Sequence, residues 1–212
     1  EAVLNGNVGD TYKVQGTVAA VNAQSFILSD ETGMILVYKG KTWTCDVAKG
    51  DIVVVTGASA TYAKAVQFGA TCEYEKVGKA EFKDGEAQVL DAALIDAMGD
   101  EEVATIKLVK VKGTLQVSGN YFNVNFEGSK YTGSVTYPAD AEGLKAYDGK
   151  EVEITGYYTG ISSSKYFNIL YTEIKVAGEE PGDEPEVPAD TVKVEAVLNG
   201  NVGDTYKVQG TV

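Results

Sequence analysis

The 212-residue chain carries 31 acidic residues against 18 basic ones, and because every base is lysine it has no arginine, no histidine and a net charge of -13. The missing histidine excludes Ser-His-Asp and Cys-His catalytic centres and removes the commonest zinc ligand, while an acidic surface without arginine disfavours nucleic acid as a partner. No apolar run is long enough to span a bilayer, and the 44% apolar content is enough for one large domain or two small ones with separate cores.

Residues 1–80 are predicted to form a first all-β module. They contain five strand-like runs, and in TYKVQGTVAAV, the first of them, apolar and polar residues alternate as in a half-buried strand. The sequence SDETG predicts a tight turn between the second and third runs, with Gly33 supplying a positive φ and Asp30 holding a nearby backbone amide. A stretch without strand character, KTWTCDVAKG, separates the third and fourth runs.

Residues 81–104 are predicted to connect this module to a second one, and they contain the clearest helical periodicity of the chain. In EAQVLDAALIDAMG the residues Leu90, Leu94 and Met98 stand four apart and are followed by a glycine. This spacing predicts a helix from Glu86 to Met98, whose apolar stripe packs on the second module or between the two modules.

Residues 105–177 are predicted to form the second module, because they repeat the order of elements of the first. YKVQGTV at residues 12–18 matches VKVKGTL at residues 109–115, and KGDIVVVTG at residues 49–57 matches DGKEVEITG at residues 148–156. The second module again has five strand-like runs, with a helical or irregular link between the third and the fourth. Such a repeat of supersecondary units indicates a tandem array.

Five strands with a link of this kind between strands three and four are the plan of the OB-fold, a small and partly open barrel. We therefore predict an all-β chain of two tandem OB-fold-like five-stranded barrels with a short connecting helix. The first module also resembles OB-fold modules of secreted and surface proteins of Bacteroidetes and other bacteria, through GTVAAV, FILSDETGMILVY and VAKGDIVVVTG at residues 16–21, 26–38 and 47–57. The second module resembles them more loosely, since it lacks the DxTG turn. The resemblance implies the fold and an extracytoplasmic location but no reaction.

Residues 178–194 are predicted to be an acidic, proline-rich linker, because such a composition cannot bury apolar surface. Residues 195–212 repeat residues 1–18 letter for letter and are interpreted as the first strand of another copy of the first module. The chain is thus expected to be a segment of a longer array. A strand without its sheet seeks an edge, which predicts head-to-tail self-association through this segment. Within the linker, Thr191 in DTV resembles the acceptor of O-glycosylation in the bacteria named above.

Aromatic side chains supply the candidate ligand-binding residues. OB barrels that bind chain-like ligands use strands two and three with their flanking loops, where aromatic rings serve as platforms. The alternative for each ring is that it caps a barrel end or stiffens a strand. The candidates are Tyr38, Trp43 and Tyr62 in the first module and Tyr131, Tyr137, Tyr157 and Tyr158 in the second.

Cys45 and Cys72 are the only cysteines, and two interpretations stay open for them. In an oxidising compartment they form a disulfide, and otherwise they are two free buried thiols. The acidic clusters have no recognisable spacing of metal ligands, so solvated charge is the interpretation we prefer, and we expect no metal and no cofactor.

Together these observations predict a non-catalytic spacer or binding module of a secreted or cell-surface bacterial protein, and not an enzyme. Its expected partner is a glycan or another surface protein, without membrane insertion. The alternative is a carbohydrate-binding module appended to a hydrolase. A third function, binding of single-stranded nucleic acid, is suggested by the fold and opposed by the charge.

Overall fold

The first module forms a closed barrel in the computed structural model, which describes residues 2–178. Its strands are β1 (Thr11–Val21), β2 (Ser25–Asp30), β3 (Gly33–Tyr38), β4 (Asp51–Tyr62), β5 (Ala65–Phe68) and β6 (Glu73–Lys79), preceded by the short helix α1 (Ala2–Asn5). β1 pairs antiparallel with β2 and β4, and the parallel pairing of β3 with β5 closes the ring. β5 and β6 both pair with β4 and together make the fifth strand-like run.

The second module forms a second closed barrel on the same plan. It consists of β7 (Gln88–Val89), α2 (Ala92–Asp100), β8 (Lys107–Ser118), β9 (Tyr121–Asn125), β10 (Thr132–Val135), α3 (Ala141–Leu144), a 3-10 turn (Lys145–Tyr147), β11 (Glu151–Ile161) and β12 (Tyr166–Val176). β8 pairs with β9 and β11, and β10 pairs in parallel with β12. The prediction of two tandem OB-like barrels is therefore confirmed.

The alternation of residues along the strands places the cores. Phe122, Val124 and Phe126 are at most 3% exposed and point into the second barrel, as do Val152 and Ile154 from β11. The chain direction reverses between β2 and β3 as predicted. There Asp30 Oδ1 accepts hydrogen bonds from the backbone amides of Thr32 and Gly33, at 2.7 and 3.1 Å.

The connecting helix differs from its prediction, which was Glu86 to Met98. Residues 88–89 instead pair with β8, and the helix begins only at Ala92, after Asp91 caps it by accepting a hydrogen bond from the Leu94 amide at 2.8 Å. Strand pairing, a contact distant in sequence, outweighs the helical periodicity. The helix buries Ile95 and Met98 in the second core, while Leu94 stays 40% exposed.

The two barrels pack directly on each other. Six buried residues form a cluster between the barrels, which we call the inter-barrel core. The first barrel contributes Ala19, Ala20 and Ile27, and the second contributes Ile106, Tyr157 and Leu170. The turn between β4 and β5, Ala63–Lys64, adds backbone hydrogen bonds across the junction, since Ile161 N donates to Ala63 O at 2.8 Å and Ala104 N donates to Lys64 O at 2.9 Å. Both barrels accordingly belong to one compact unit, which extends to Ala177.

Several sequence predictions lie outside the described residues. They concern the acidic linker beyond Gly178, the repeated segment 195–212 with its head-to-tail association, and Thr191. They stay predictions. Among residues 2–178, no helix is both long enough and apolar enough to cross a membrane.

The repeated glycine of β1 and β8 gives a test of the barrel geometry. A Cβ on Gly16 would lie 2.6 Å from Ser29 O, and one on Gly113 would lie 2.5 Å from Asn125 O, because the neighbouring strand crosses closely at both places. We expect Gly16→Ala and Gly113→Ala each to lower the free energy of unfolding by about 1–3 kcal/mol. Gly69→Ala is the control, because no heavy atom lies within 4 Å of its Cβ position. Urea unfolding measures the difference, and equal stabilities of the three variants would contradict the proposed strand crossing.

The hydrogen bond of Tyr157 gives a pH-dependent test of the inter-barrel packing. Its hydroxyl donates to Asp84 Oδ1 at 2.6 Å, and Asp84 also pairs with Lys49. Burial of Asp84 opposes its ionisation, but the bonds from Lys49 and Tyr157 and the lysine charge outweigh burial and lower its pKa. The stabilisation is therefore complete above the ordinary aspartate pKa of about 3.9 and is lost as the pH falls through the lower folded value.

We expect Tyr157→Phe to lower the unfolding free energy by about 0.5–1.5 kcal/mol at pH 7 and by progressively less as the pH falls through the lowered pKa of Asp84, because a protonated Asp84 accepts more weakly. Denaturant unfolding in a series of buffers from pH 7 downwards measures this, with Tyr121→Phe as the exposed control. A loss that is independent of pH would show that the Asp84 carboxylate does not contribute.

Candidate functional site

A cavity of about 160 Å³ lies where the two barrels meet. This is several times the roughly 30 Å³ that one water molecule occupies in the liquid, so the space is large enough for a small organic group. Both barrels contribute to its wall. The lining residues are Ser25, Leu36, Tyr38, Tyr62 and Gln67 from the first barrel, and Thr136, Tyr137, Thr159 and Asn168 from the second.

Gln67 and Asn168 reach this inter-barrel cavity from equivalent places. Gln67 lies on β5 opposite Leu36 of β3, and Asn168 lies on β12 opposite Ser134 of β10, so both sit where the third and fifth strands pair in parallel. Their neighbour Phe68 points into the first core, and Phe167 points into the second. Because side chains alternate along a strand, the two amides point away from the cores and towards the barrel junction.

The two amides are buried without partners. Gln67 is 8% exposed and Asn168 is 6% exposed, yet within residues 2–178 neither side chain makes a hydrogen bond. An unpaired buried polar group costs about 1–3 kcal/mol, so most are paired in folded proteins. Two such groups at one cavity make this cavity the candidate binding site.

Asn22 shows how this fold satisfies a buried amide when its role is structural. It is 5% exposed, and its Oδ1 accepts hydrogen bonds from the backbone amides of Gln24 and Ser25 and from Ser25 Oγ, at 2.7 to 2.9 Å. Its Nδ2 donates to Thr136 O of the second barrel at 3.0 Å. The contrast with Gln67 and Asn168 is therefore one of hydrogen bonding, not of burial.

Three tyrosines form the aromatic part of the cavity wall. Tyr38 and Tyr137 approach to 6.2 Å between ring centroids with an interplanar angle of 41°, and Tyr62 stands 54% exposed beside them. Burial raises the pKa of Tyr137, and the nearby phenols of Tyr38 and Tyr62 raise it further. The Tyr137 phenol is therefore neutral at physiological pH. Among residues 2–178, no carboxylate or lysine side chain lines this wall.

The structure thus brings together three of the seven predicted ligand-binding residues, Tyr38, Tyr62 and Tyr137. For Tyr157 and Tyr158 the prediction of an exposed platform is wrong, because both are 0% exposed. Tyr157 belongs to the inter-barrel core, and Tyr158 stacks on Phe167 with ring centroids 4.2 Å apart. Burial raises the pKa of both phenols well above the ordinary value.

Tyr131 and Trp43 also have structural surroundings. Tyr131 is 8% exposed, donates a hydrogen bond to Asp100 at 2.9 Å, and leaves no room for a side chain at Gly99 of α2. Trp43 is half-buried, lies 5.9 Å from the Phe26 ring, and donates through Nε1 to the Tyr74 hydroxyl at 2.7 Å. Neither lines the inter-barrel cavity, and for Trp43 the packing fits the alternative in which it plugs the first barrel.

The two cysteines are free, which excludes the disulfide, one of the two interpretations left open by the sequence. Cys72 is buried beside Gly57, where a Cβ would lie only 2.6 Å from the cysteine Cβ, whereas Cys45 is exposed in the link between β3 and β4. Burial raises the pKa of the Cys72 thiol, although the nearby Lys39 acts in the opposite direction. The alternative of two buried thiols is corrected as well, since only Cys72 is buried.

Two other observations narrow the choice of site. A larger opening of about 330 Å³ lies beside α1 and residues 103–106, but its polar side chains, Asn5, Thr32 and Thr105, are all exposed. Within residues 2–178, no group of three carboxylates, thiols or imidazoles stands close enough to hold a metal ion.

Sequence reasoning missed Gln67 and Asn168. The available signal was a single amide residue inside an apolar strand-like run, VQF in the first module and FNI in the second. Comparison of the chain with family models and with curated proteins gives no match, so the functional assignment rests on this geometry.

Thiol labelling tests the environments of the two cysteines. In the native protein we expect Cys45 to react with an aromatic disulfide reagent and Cys72 to stay unmodified until denaturant is added, because only an accessible thiolate attacks. The released chromophore is counted before and after denaturation. The wild-type chain is expected to show one thiol before denaturation and a second one after it, whereas the control Cys45→Ser shows a thiol only after denaturation. No release in either state would indicate a disulfide.

Proposed function

We propose that this chain is a non-catalytic binding module of a secreted or cell-surface bacterial protein, and that it binds its ligand in the inter-barrel cavity. The observation that carries the proposal is the pair of unpartnered buried amides, Gln67 from one barrel and Asn168 from the other. The extracytoplasmic setting is supported by the motifs of the first module alone. The direct packing of the two barrels would let the same unit act as a rigid spacer.

The composition of the cavity wall supports binding without catalysis. General acid-base catalysis needs a titratable group within hydrogen-bond reach of the reacting atoms. Of the described residues, the three tyrosines alone bring titratable side chains to the wall, and the sequence has no histidine to activate a hydroxyl. The amides and rings instead suit recognition of an uncharged molecule.

A carbohydrate-binding module appended to a hydrolase is the second candidate. It is favoured by the tyrosine rings and by the lack of charge in the wall. Single-stranded nucleic acid is disfavoured, because β2 and β3, the strands that OB barrels use for such ligands, contribute Ile27, Met34 and Leu36 to the packing against the second barrel. The net charge of -13 adds repulsion.

A thermal-shift screen with Tyr62→Ala tests the proposal. Neutral sugars, nucleosides and small amides are added to the full chain, and a ligand at one hundred times its Kd raises the unfolding free energy by about 2.7 kcal/mol. We expect at least one class to raise the Tm of the wild-type chain. The rise in Tm should be smaller for Tyr62→Ala, because this variant removes a side chain of the cavity wall.

Tyr121→Ala is the matched control, because Tyr121 is 72% exposed and lies outside the cavity wall. It is expected to respond as the wild type does. A single-stranded oligonucleotide at low salt is expected to give no shift. If no neutral class binds, or if Tyr121→Ala and Tyr62→Ala lose binding equally, the cavity is not the binding site.

A further inference from the structure

We infer that the inter-barrel cavity takes the terminal unit of a neutral saccharide, with Gln67 and Asn168 as the two residues that hydrogen-bond its hydroxyl groups. The inference rests on the proposed function and specifies the ligand class of that same site. It is carried by the unmet hydrogen-bonding capacity of the two amides together with the shape of the cavity.

The amides set the chemistry of the ligand. Each carries two N-H donors and a carbonyl acceptor, and a sugar hydroxyl is donor and acceptor at once, so adjacent hydroxyls can satisfy both halves of an amide. A carboxylate or phosphate offers acceptors only and would leave the amide carbonyls unpaired. It would also enter a wall without a cationic side chain, where an unpaired buried charge is costly.

The rings disfavour a planar base held between two aromatic side chains. A base inserted between aromatic side chains needs two roughly parallel rings with space between them. Tyr38 and Tyr137 are instead tilted by 41° and stand 6.2 Å apart, so they contact each other and leave no such slot. One face of such a pair, with the exposed Tyr62 beside it, suits the C-H face of a single sugar ring.

The size and closure of the cavity favour a chain end. Its volume of about 160 Å³ is below the roughly 300–1,000 Å³ of sites for drug-sized ligands, so it is suited to one small ring. Leu36 lines the cavity and also packs on the inter-barrel core, which closes this side with tightly packed side chains. A saccharide chain that continued beyond the bound unit would have no exit on this side of the cavity, whereas the terminal unit of a saccharide does not need an exit.

The test replaces each amide by an apolar side chain of similar size, through Gln67→Met and Asn168→Leu in the full chain. Because each change removes an unpaired buried polar group, we expect the ligand-free Tm to rise by about 2–6 °C. Asn22→Leu is the matched control, since it removes a buried amide that is hydrogen-bonded through both its oxygen and its nitrogen, and its Tm should fall.

Binding is measured by titration calorimetry with D-glucose, D-galactose, D-mannose and N-acetyl-D-glucosamine as probes. D-Glucuronic acid is the charged comparator, and adenosine is the planar one. We expect at least one neutral sugar to bind the wild-type chain and each amide variant to lose at least tenfold in affinity, with no binding of glucuronic acid.

The outcomes separate this inference from the proposed function. If the two amide variants are more stable than the wild type and the chain binds adenosine but no sugar, the saccharide inference is wrong. The proposed function as a binding module is then unaffected. Stabilised variants with no sugar binding would overturn it as well. If Gln67→Met and Asn168→Leu lower the Tm as Asn22→Leu does, the amides are structural, and both the inference and the proposed site fail.

Discussion

The packing of the two barrels around Tyr157 is the interaction on which the rest of the molecule depends. The ring is fully buried in the inter-barrel core, and its hydroxyl reaches Asp84 in the segment that joins the barrels. Complete burial of a large side chain contributes about 1.5–3 kcal/mol relative to exposure, and the satisfied hydroxyl avoids the cost of burying a polar group alone. The Ala63–Lys64 turn adds backbone hydrogen bonds, which fix how the barrels are rotated against each other. Without this contact the inter-barrel cavity would have only half of its wall.

The same contact changes the use of the OB-fold surface. Strands two and three of a single OB barrel are open to a chain-like ligand, but here the outer face of β2 and β3 packs through Ile27 and Leu36 on the second barrel. What stays accessible is the edge of that face, where Tyr38 and Tyr62 meet Tyr137. In place of a long groove, the packing of two modules leaves a small cavity, partly open to solvent, whose described wall residues carry no charge.

The two unpaired amides of the cavity wall reduce the stability of the ligand-free protein, in contrast to the hydrogen-bonded amide of Asn22. Asn22 shows that the chain can hydrogen-bond both the oxygen and the nitrogen of a buried amide, and it does so within a few residues of the cavity wall at Ser25. Gln67 and Asn168 have no such side-chain partners among the described residues. Unpaired polar groups at a functional site reduce stability in the absence of the ligand and are paired when it binds.

The sequence by itself determined the two barrels. Strand alternation placed Phe122 and Val152, turn chemistry placed the reversal at Asp30, and the internal repeat fixed the order of elements, because all three depend on residues close in the chain. The contacts between the barrels were decided by tertiary structure alone. They made Tyr157 a core residue and brought Gln67 and Asn168 to one cavity. Within the second barrel, the pairing of residues 88–89 with β8 moved the helix start to Ala92, and stacking on Phe167 made Tyr158 a core residue. Pairing between surfaces a hundred residues apart leaves no periodic pattern, since each surface is an ordinary outer strand face until the other covers it.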